Sequence, residues 1–279
     1  MKIKGRKVSF PSIHHQKLFE FFSNGDPVIS KVKLYEFFSN GDAGISKVDN
    51  EGWTPMHRAI KINNVEIVRI LLMLLKCKRA DLNFINHGGK TPLTFAILEG
   101  NLDIIELLLS NGANPNFQDI KGWTPILMAI HKNNWEVLDF LVENGADVNL
   151  MNSYNWTPLT HAIKTSNIEA VEILIANNAN IDLPDGAHIT PLSTAIEENN
   201  LEMVKLLVEN GASTSIYNVF GDTPFQEAIK RKHIDIIKFF MENGANLSLR
   251  TKNSRYTAIE SALALNGNQI GILKNLLFY

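Results

Sequence analysis

The dipeptide Thr-Pro begins at Thr54, Thr91, Thr124, Thr157, Thr190 and Thr223, at intervals of 37, 33, 33, 33 and 33 residues, and Thr257-Ala258 follows 34 residues later. A fixed period in this range marks a chain built from stacked copies of one supersecondary unit, so it constrains the fold before composition is considered. Other positions keep step. Five residues before each threonine stands Asp49, Asn86, Asp119, Asn152, Asp185 or Asn218, a short side chain that bonds the backbone two residues on and opens a tight turn. Two residues before it comes Gly52, Gly89, Gly122 or Gly221, which tolerates positive φ. Asn155 meets that need fairly well and His188 less well, so the fifth turn is expected to be distorted.

The threonine supplies an N-cap oxygen and the proline takes the first helical position, where its missing N–H costs nothing. Five residues on lies Ala59, Ala96, Ala129, Ala162, Ala195 or Ala228, each followed by isoleucine. The small residue lets neighbouring helices approach, and the isoleucine fills the core. After a polar break such as Asn133-Asn134 or Asn199-Asn200, a second apolar pattern of 3.6-residue period predicts an outer helix. It ends at Asn111-Gly112, Asn144-Gly145, Asn210-Gly211 and Asn243-Gly244, a left-handed C-cap signal, with Asn177-Asn178 as the weaker substitute. Trp135 falls at the start of one such helix and is read as core.

Segments such as residues 119–150, DIKGWTPILMAIHKNNWEVLDFLVENGADVNL, resemble the ankyrin repeat, whose hallmark is D-x-x-G-x-T-P-L-H-x-A-A followed by an outer helix and G-A-D-V-N. The resemblance covers residues 49–279 and implies an all-α ankyrin-repeat solenoid of about seven helix-turn-helix repeats, starting near residues 49, 86, 119, 152, 185, 218 and 252. The motif histidine survives only as His57, being Thr94, Leu127, Thr160, Ser193 and Gln226 elsewhere, so histidine bonding between repeats should be thin. The 37-residue first interval puts about four extra residues within 71–79, which predicts a longer outer helix or a bulging loop.

Residues 17–32 and 33–48 are nearly the same 16-residue segment, differing at Phe19/Tyr35, Pro27/Ala43 and Val28/Gly44. Residues 1–48 are assigned to an N-terminal segment and helical cap, with 33–48 as the cap's outer half. The first copy supplies either the inner helix or an unpaired arm.

Composition narrows the function. With 45 % hydrophobic residues the 279-residue chain has the means for a real core, and a formal charge of −2 gives no basic field to steer it onto nucleic acid or an anionic membrane. The single cysteine, Cys77, makes no internal disulfide, which suits a reducing intracellular setting, cytoplasmic or nuclear. The N-terminus lacks an apolar signal core, and no apolar run approaches bilayer length. Cys77 has basic neighbours but no ordered base; His14-His15 lacks spaced Cys or His partners; no phosphate-loop motif occurs. No enzyme, metal site or cofactor is expected.

In the family this chain resembles, contact positions lie four, three and one residues before the threonine, and seven and eight after it. They fall here on Trp53, Trp123, Tyr154, Trp156 and Phe220 at the turn tips, and on lysines that include Lys121, Lys132 and Lys164. Aromatic tips beside lysines suit the anchor chemistry of interfaces. The expectation is a protein-interaction scaffold gripping a partner with an acidic or mixed segment on its concave face and turn tips. The alternatives are that each indole folds back to shield its own turn, and that the chain is an adaptor or host-directed effector recruiting a client to an enzyme complex.

Overall fold

The computed structural model describes residues 48–49, 52–78 and 81–243 and the single positions 250, 257 and 260. The cap expected within residues 1–48 and the last repeat, from 252 on, otherwise lie outside the described residues. Two compact units are distinguished, residues 1–132 with 143–146, and residues 133–142 with 147–279. Among the described residues there are twelve helices, in pairs: α1 (Pro55–Lys61) and α2 (Val65–Lys78), α3 (Pro92–Glu99) and α4 (Leu102–Ser110), α5 (Pro125–His131) and α6 (Trp135–Glu143), α7 (Pro158–Lys164) and α8 (Ile168–Ala176), α9 (Pro191–Glu197) and α10 (Leu201–Glu209), α11 (Pro224–Arg231) and α12 (Ile234–Glu242).

In the first unit α1 packs on α2 and α3, and α3 packs on α4 and α5. In the second, α7, α9 and α11 form a row, each backed by its own outer helix, α8, α10 or α12. What allows the close approach is the alanine of each inner helix, fully buried at positions 59, 96, 129, 162, 195 and 228. The isoleucine after it is buried too, and each such side chain removed from water contributes about 1.5–3 kcal/mol.

Local chemistry sets most boundaries, the start of α12 at His233 being without a side-chain cap. Each inner helix starts at a threonine whose hydroxyl accepts the N–H three residues on, as Thr157 does from Thr160 at 3.0 Å. Between the paired helices the chain passes through a left-handed residue, Asn63, Gly100, Asn133, Ser166, Asn199 or Lys232. Five outer helices then begin at an asparagine cap: the side chains of Asn64, Asn101, Asn134, Asn167 and Asn200 accept the N–H groups of Ile67, Ile104, Val137, Ala170 and Met203. Glycines at 112, 145 and 211 follow the helix ends at positive φ, and Asn178 does the same at φ 64°.

The extra residues of the first repeat lengthen a helix. Helix α2 runs 14 residues where the other outer helices run nine. The fifth turn is regular, contrary to expectation: His188 takes φ 57° and donates its N–H to the Asp185 carbonyl at 2.9 Å, the bond that Gly52 makes to Asp49. The imidazole points to solvent, so positive φ meets no further crowding. Trp135 is half-buried at the start of α6, less enclosed than the core placement expected of it.

Candidate functional site

The turn before each inner helix is a finger built by its first residue. Its carboxylate or amide oxygen accepts the backbone N–H four residues on, and in the fingers that start at Asp119, Asn152, Asp185 and Asn218 also the one two residues on; Asn152 Oδ1, for example, takes those of Tyr154 at 2.9 Å and Trp156 at 3.0 Å. A backbone pair closes the base, with Asn152 N–H donating to the Trp156 carbonyl at 3.0 Å. The finger tip is thus fixed by bonds that leave its intervening side chains outside.

Neighbouring fingers meet by an exchange of bulk. A Cβ added to Gly52 would lie 2.3 Å from the Cβ of His87, and one added to Gly89 would lie 2.3 Å from Ile120. In the second unit the sizes are reversed. Asn155 holds the left-handed position at φ 58°, and its facing residue is Gly186, where an added Cβ would come within 2.3 Å of the Asn155 Cβ. Backbone bonds tie both junctions, His87 N–H to the Gly52 carbonyl at 2.9 Å and Gly186 N–H to the Asn155 carbonyl at 3.1 Å. A single-position reading of Asn155 as a glycine substitute misses this; pairing it with position 186 would have found it.

The site residues expected from the sequence fall into distinct environments. Trp53 is half-buried, its ring edge-on to Phe95 with centroids 4.9 Å apart, and the Arg58 guanidinium lies 5.7 Å from its centroid. Arg58 is held by Asp49 at 2.7 Å, so this indole is enclosed by its own repeat and the next. Trp123 is half-buried and edge-on to His131 at 5.3 Å, while Lys121 and Lys132 of the same repeat are exposed. Trp156 stacks on the buried His161 ring at 6.2 Å and 24°, its neighbour Tyr154 lies 5.9 Å away, and the Lys164 ammonium sits 5.2 Å from the indole centroid. Tyr154 is 64 % exposed. Phe220 is 70 % exposed, beside the exposed Tyr217 and Val219 that sequence reasoning passed over.

Several cations near these tips are spoken for. Lys61 pairs with Glu99 at 3.1 Å, Lys90 with Asp119, Lys230 with the buried carboxylate of Asp222 at 2.6 Å, and Arg231 with Glu227 and Glu197 at 3.1 and 3.0 Å. Lys164 makes no ion pair among the described residues. Next to Phe220 opens a cavity of about 330 Å³, lined by Asn218, Asp222, Glu227, Lys230 and Arg231 as well.

His57 links two repeats of the first unit. One ring nitrogen lies 2.7 Å from Thr54 Oγ1, and Nε2 donates to the Lys90 carbonyl at 3.0 Å. Burial lowers its pKa to about 4, only partly offset by its backbone bonds to Lys90 and Thr91. At the same place Thr160 and Thr94 bond only the threonine of their own repeat. No described group of three His, Cys, Asp or Glu side chains is placed to hold a metal ion, and no described helix is long and apolar enough to cross a membrane.

A family model described as ankyrin repeats (3 copies) matches residues 23–119, 111–185 and 192–279. An ankyrin repeat protein of Rickettsia bellii is 34 % identical over 65 residues, 23 % of this chain and 37 % of the relative. The B-cell lymphoma 3 protein homolog of Mus musculus is 35 % identical over 68 residues, 24 % of this chain and 15 % of its own length. The matched stretches therefore span well under half of these relatives. Among solved structures, the ankyrin repeat domain of Bcl-3, described as a unique member of the IkappaB protein family, superposes with a TM-score of 0.73 at 28 % identity, covering 81 % of this chain and all of that one.

Proposed function

This chain belongs to the ankyrin repeat family, and on that footing we propose that it works without covalent chemistry, as a protein-binding scaffold whose contact surface includes the finger tips and inner-helix face of its second unit. The observation that carries the reading is the Tyr154, Trp156 and Lys164 group. It offers an exposed phenol on a finger whose backbone is already bonded, an indole braced by His161, and an ammonium without a carboxylate partner among the described residues. Such a group loses little side-chain freedom on association, which is how rigid aromatic anchors gain affinity. The partner is a protein with an acidic or mixed segment, as the lone ammonium favours a carboxylate over a cation.

Trp53, Trp123, Lys121 and Lys132 belong to the first unit's surface in this reading. The half-buried indoles there serve as walls rather than as projecting anchors. Quantitative affinity capture from the relevant cell lysate tests the proposal: proteins retained by the wild-type chain should be depleted about tenfold or more by Tyr154→Ala with Lys164→Glu, the loss expected when a hot-spot residue is removed. Equal capture by a double variant with an unchanged far-UV spectrum and melting temperature would refute it.

A further inference from the structure

Three consecutive fingers of the second unit have unequal tips. The first ends in Tyr154, the third in Val219 and Phe220, and between them the residues at the same places are Gly186 and Ala187. Gly186 has no latitude to be larger, because Asn155 occupies the space a Cβ would need. The result is two apolar posts flanking a saddle, a middle finger with no bulky apolar side chain at its tip but only Gly186, Ala187 and the exposed His188, on helices α7, α9 and α11 that pack in a row.

We propose that this saddle receives an extended segment of a partner protein carrying two bulky apolar side chains, one against Tyr154 and one in the cavity beside Phe220, with a carboxylate next to the first. The proposal rests on the scaffold reading above and adds the partner's form and register. Neighbouring packed helices lie about 8–10 Å apart, so the two posts, two repeats apart, are separated by about 16–20 Å. An extended strand advances about 3.3 Å per residue, which places the two anchors about five or six residues apart.

Charge sets the direction. Lys164, at the Tyr154 end, pairs with no carboxylate among the described residues, while Lys230 and Arg231, the cations that line the cavity beside Phe220, are paired with Asp222, Glu227 and Glu197; the exposed Lys232 at the end of α11 is not among the lining residues. At the C-terminal end of α9, the inner helix of the middle finger, the exposed Glu198 pairs with no described cation. An acid is therefore favoured at the first anchor and disfavoured between the anchors. At the far end, with the wall charges paired internally, the 330 Å³ cavity suits a single aromatic or branched aliphatic side chain.

The test is selection of displayed random peptides, long enough to span both posts, on the full chain, followed by fluorescence anisotropy of the winning sequences as synthetic peptides. The expected winners carry two bulky apolar residues about five or six apart, with Asp or Glu beside the first. Tyr154→Ala and Phe220→Ala should each weaken them about tenfold, and Lys164→Glu should abolish the preference for the acid. If Phe220→Ala is without effect while Tyr154→Ala and Lys164→Glu weaken binding, the two-post saddle is wrong and the scaffold reading stands. If none of the three matters, both fall. Failure to enrich any peptide, or winners that bind as helices by circular dichroism, would also overturn the inference.

Discussion

Trp53 and Trp156 hold the same place in their fingers, one residue before the threonine that caps an inner helix, and their neighbours treat them differently. Trp53 meets the ring of Phe95 from the next repeat and the guanidinium of Arg58 from its own. The residue matching Phe95 in the repeat after Trp156 is Thr194, fully buried and too short to reach over the indole. The residue matching Arg58 is His161, which stacks beneath Trp156 and leaves its companion Tyr154 outside. A repeat motif thus fixes where a side chain leaves the backbone. What packs against it is then decided both by its own repeat, through Arg58 or His161, and by the next, through Phe95 or Thr194.

The largest effect that separates the two regions lies under Trp53. His57 is neutral in the fold because burial lowers its pKa to about 4, against an ordinary value near 6.5. The unfolded chain takes up a proton below about pH 6.5 that the folded chain refuses. The stability His57 contributes is therefore complete above that pH, falls as pH drops toward 4, and levels off below it. The shift corresponds to up to about 3 kcal/mol. Urea titrations at neutral and acid pH should show this loss in the wild type and a shallower one in His57→Gln; equal acid limbs would remove His57 from the account.

The finger junctions break next. Gly186→Ala forces a Cβ onto Asn155 and should cost about 1–3 kcal/mol, as overpacking does. Asn155→Gly in the same chain should recover most of that loss, because the two positions exchange bulk; this coupling is measurable as a double-mutant cycle on urea midpoints. Additive losses would contradict the exchange.

These junctions also mark how far the sequence could be read. The Asx residues, threonine caps and Asn-Gly stops act within a few residues of themselves, so fingers and helix ends were legible one repeat at a time. The regular fifth turn was not, because His188 tolerates positive φ when its ring faces solvent, a matter of surroundings rather than residue type. The length of α2 was legible only as a choice between helix and loop; the helix-forming run through Lys78 decides it. That Trp53 packs on Phe95 while Trp156 packs on His161 was illegible one repeat at a time, because the packing of the indole depends on the residue four past the threonine in the same repeat and in the next.

A smaller change should open the first finger. Arg58→Gln removes the bidentate grip on Asp49, whose carboxylate is nearly buried, along with the cation over Trp53. The cost should be about 1–2 kcal/mol, since part of the carboxylate's need is still met by the Trp53 N–H. Its signature is a rise in quenching of tryptophan fluorescence by acrylamide, which Lys164→Gln at the other finger should not match.

The smallest stability effect belongs to the residue argued to matter most for binding. Tyr154 projects from a finger whose bonds run through the backbone and the Asn152 side chain, so Tyr154→Ala removes neither a cap nor a core contact. Its melting temperature should stay close to wild type, within about 0.5 kcal/mol of stability, as exposed substitutions away from structural features do. The equivalent truncation of Trp53 strips the cover from Phe95 and should be clearly destabilising. A Tyr154→Ala loss as large as that of Trp53→Ala would mean that the phenol braces the finger, and the two tips would then play the same structural part.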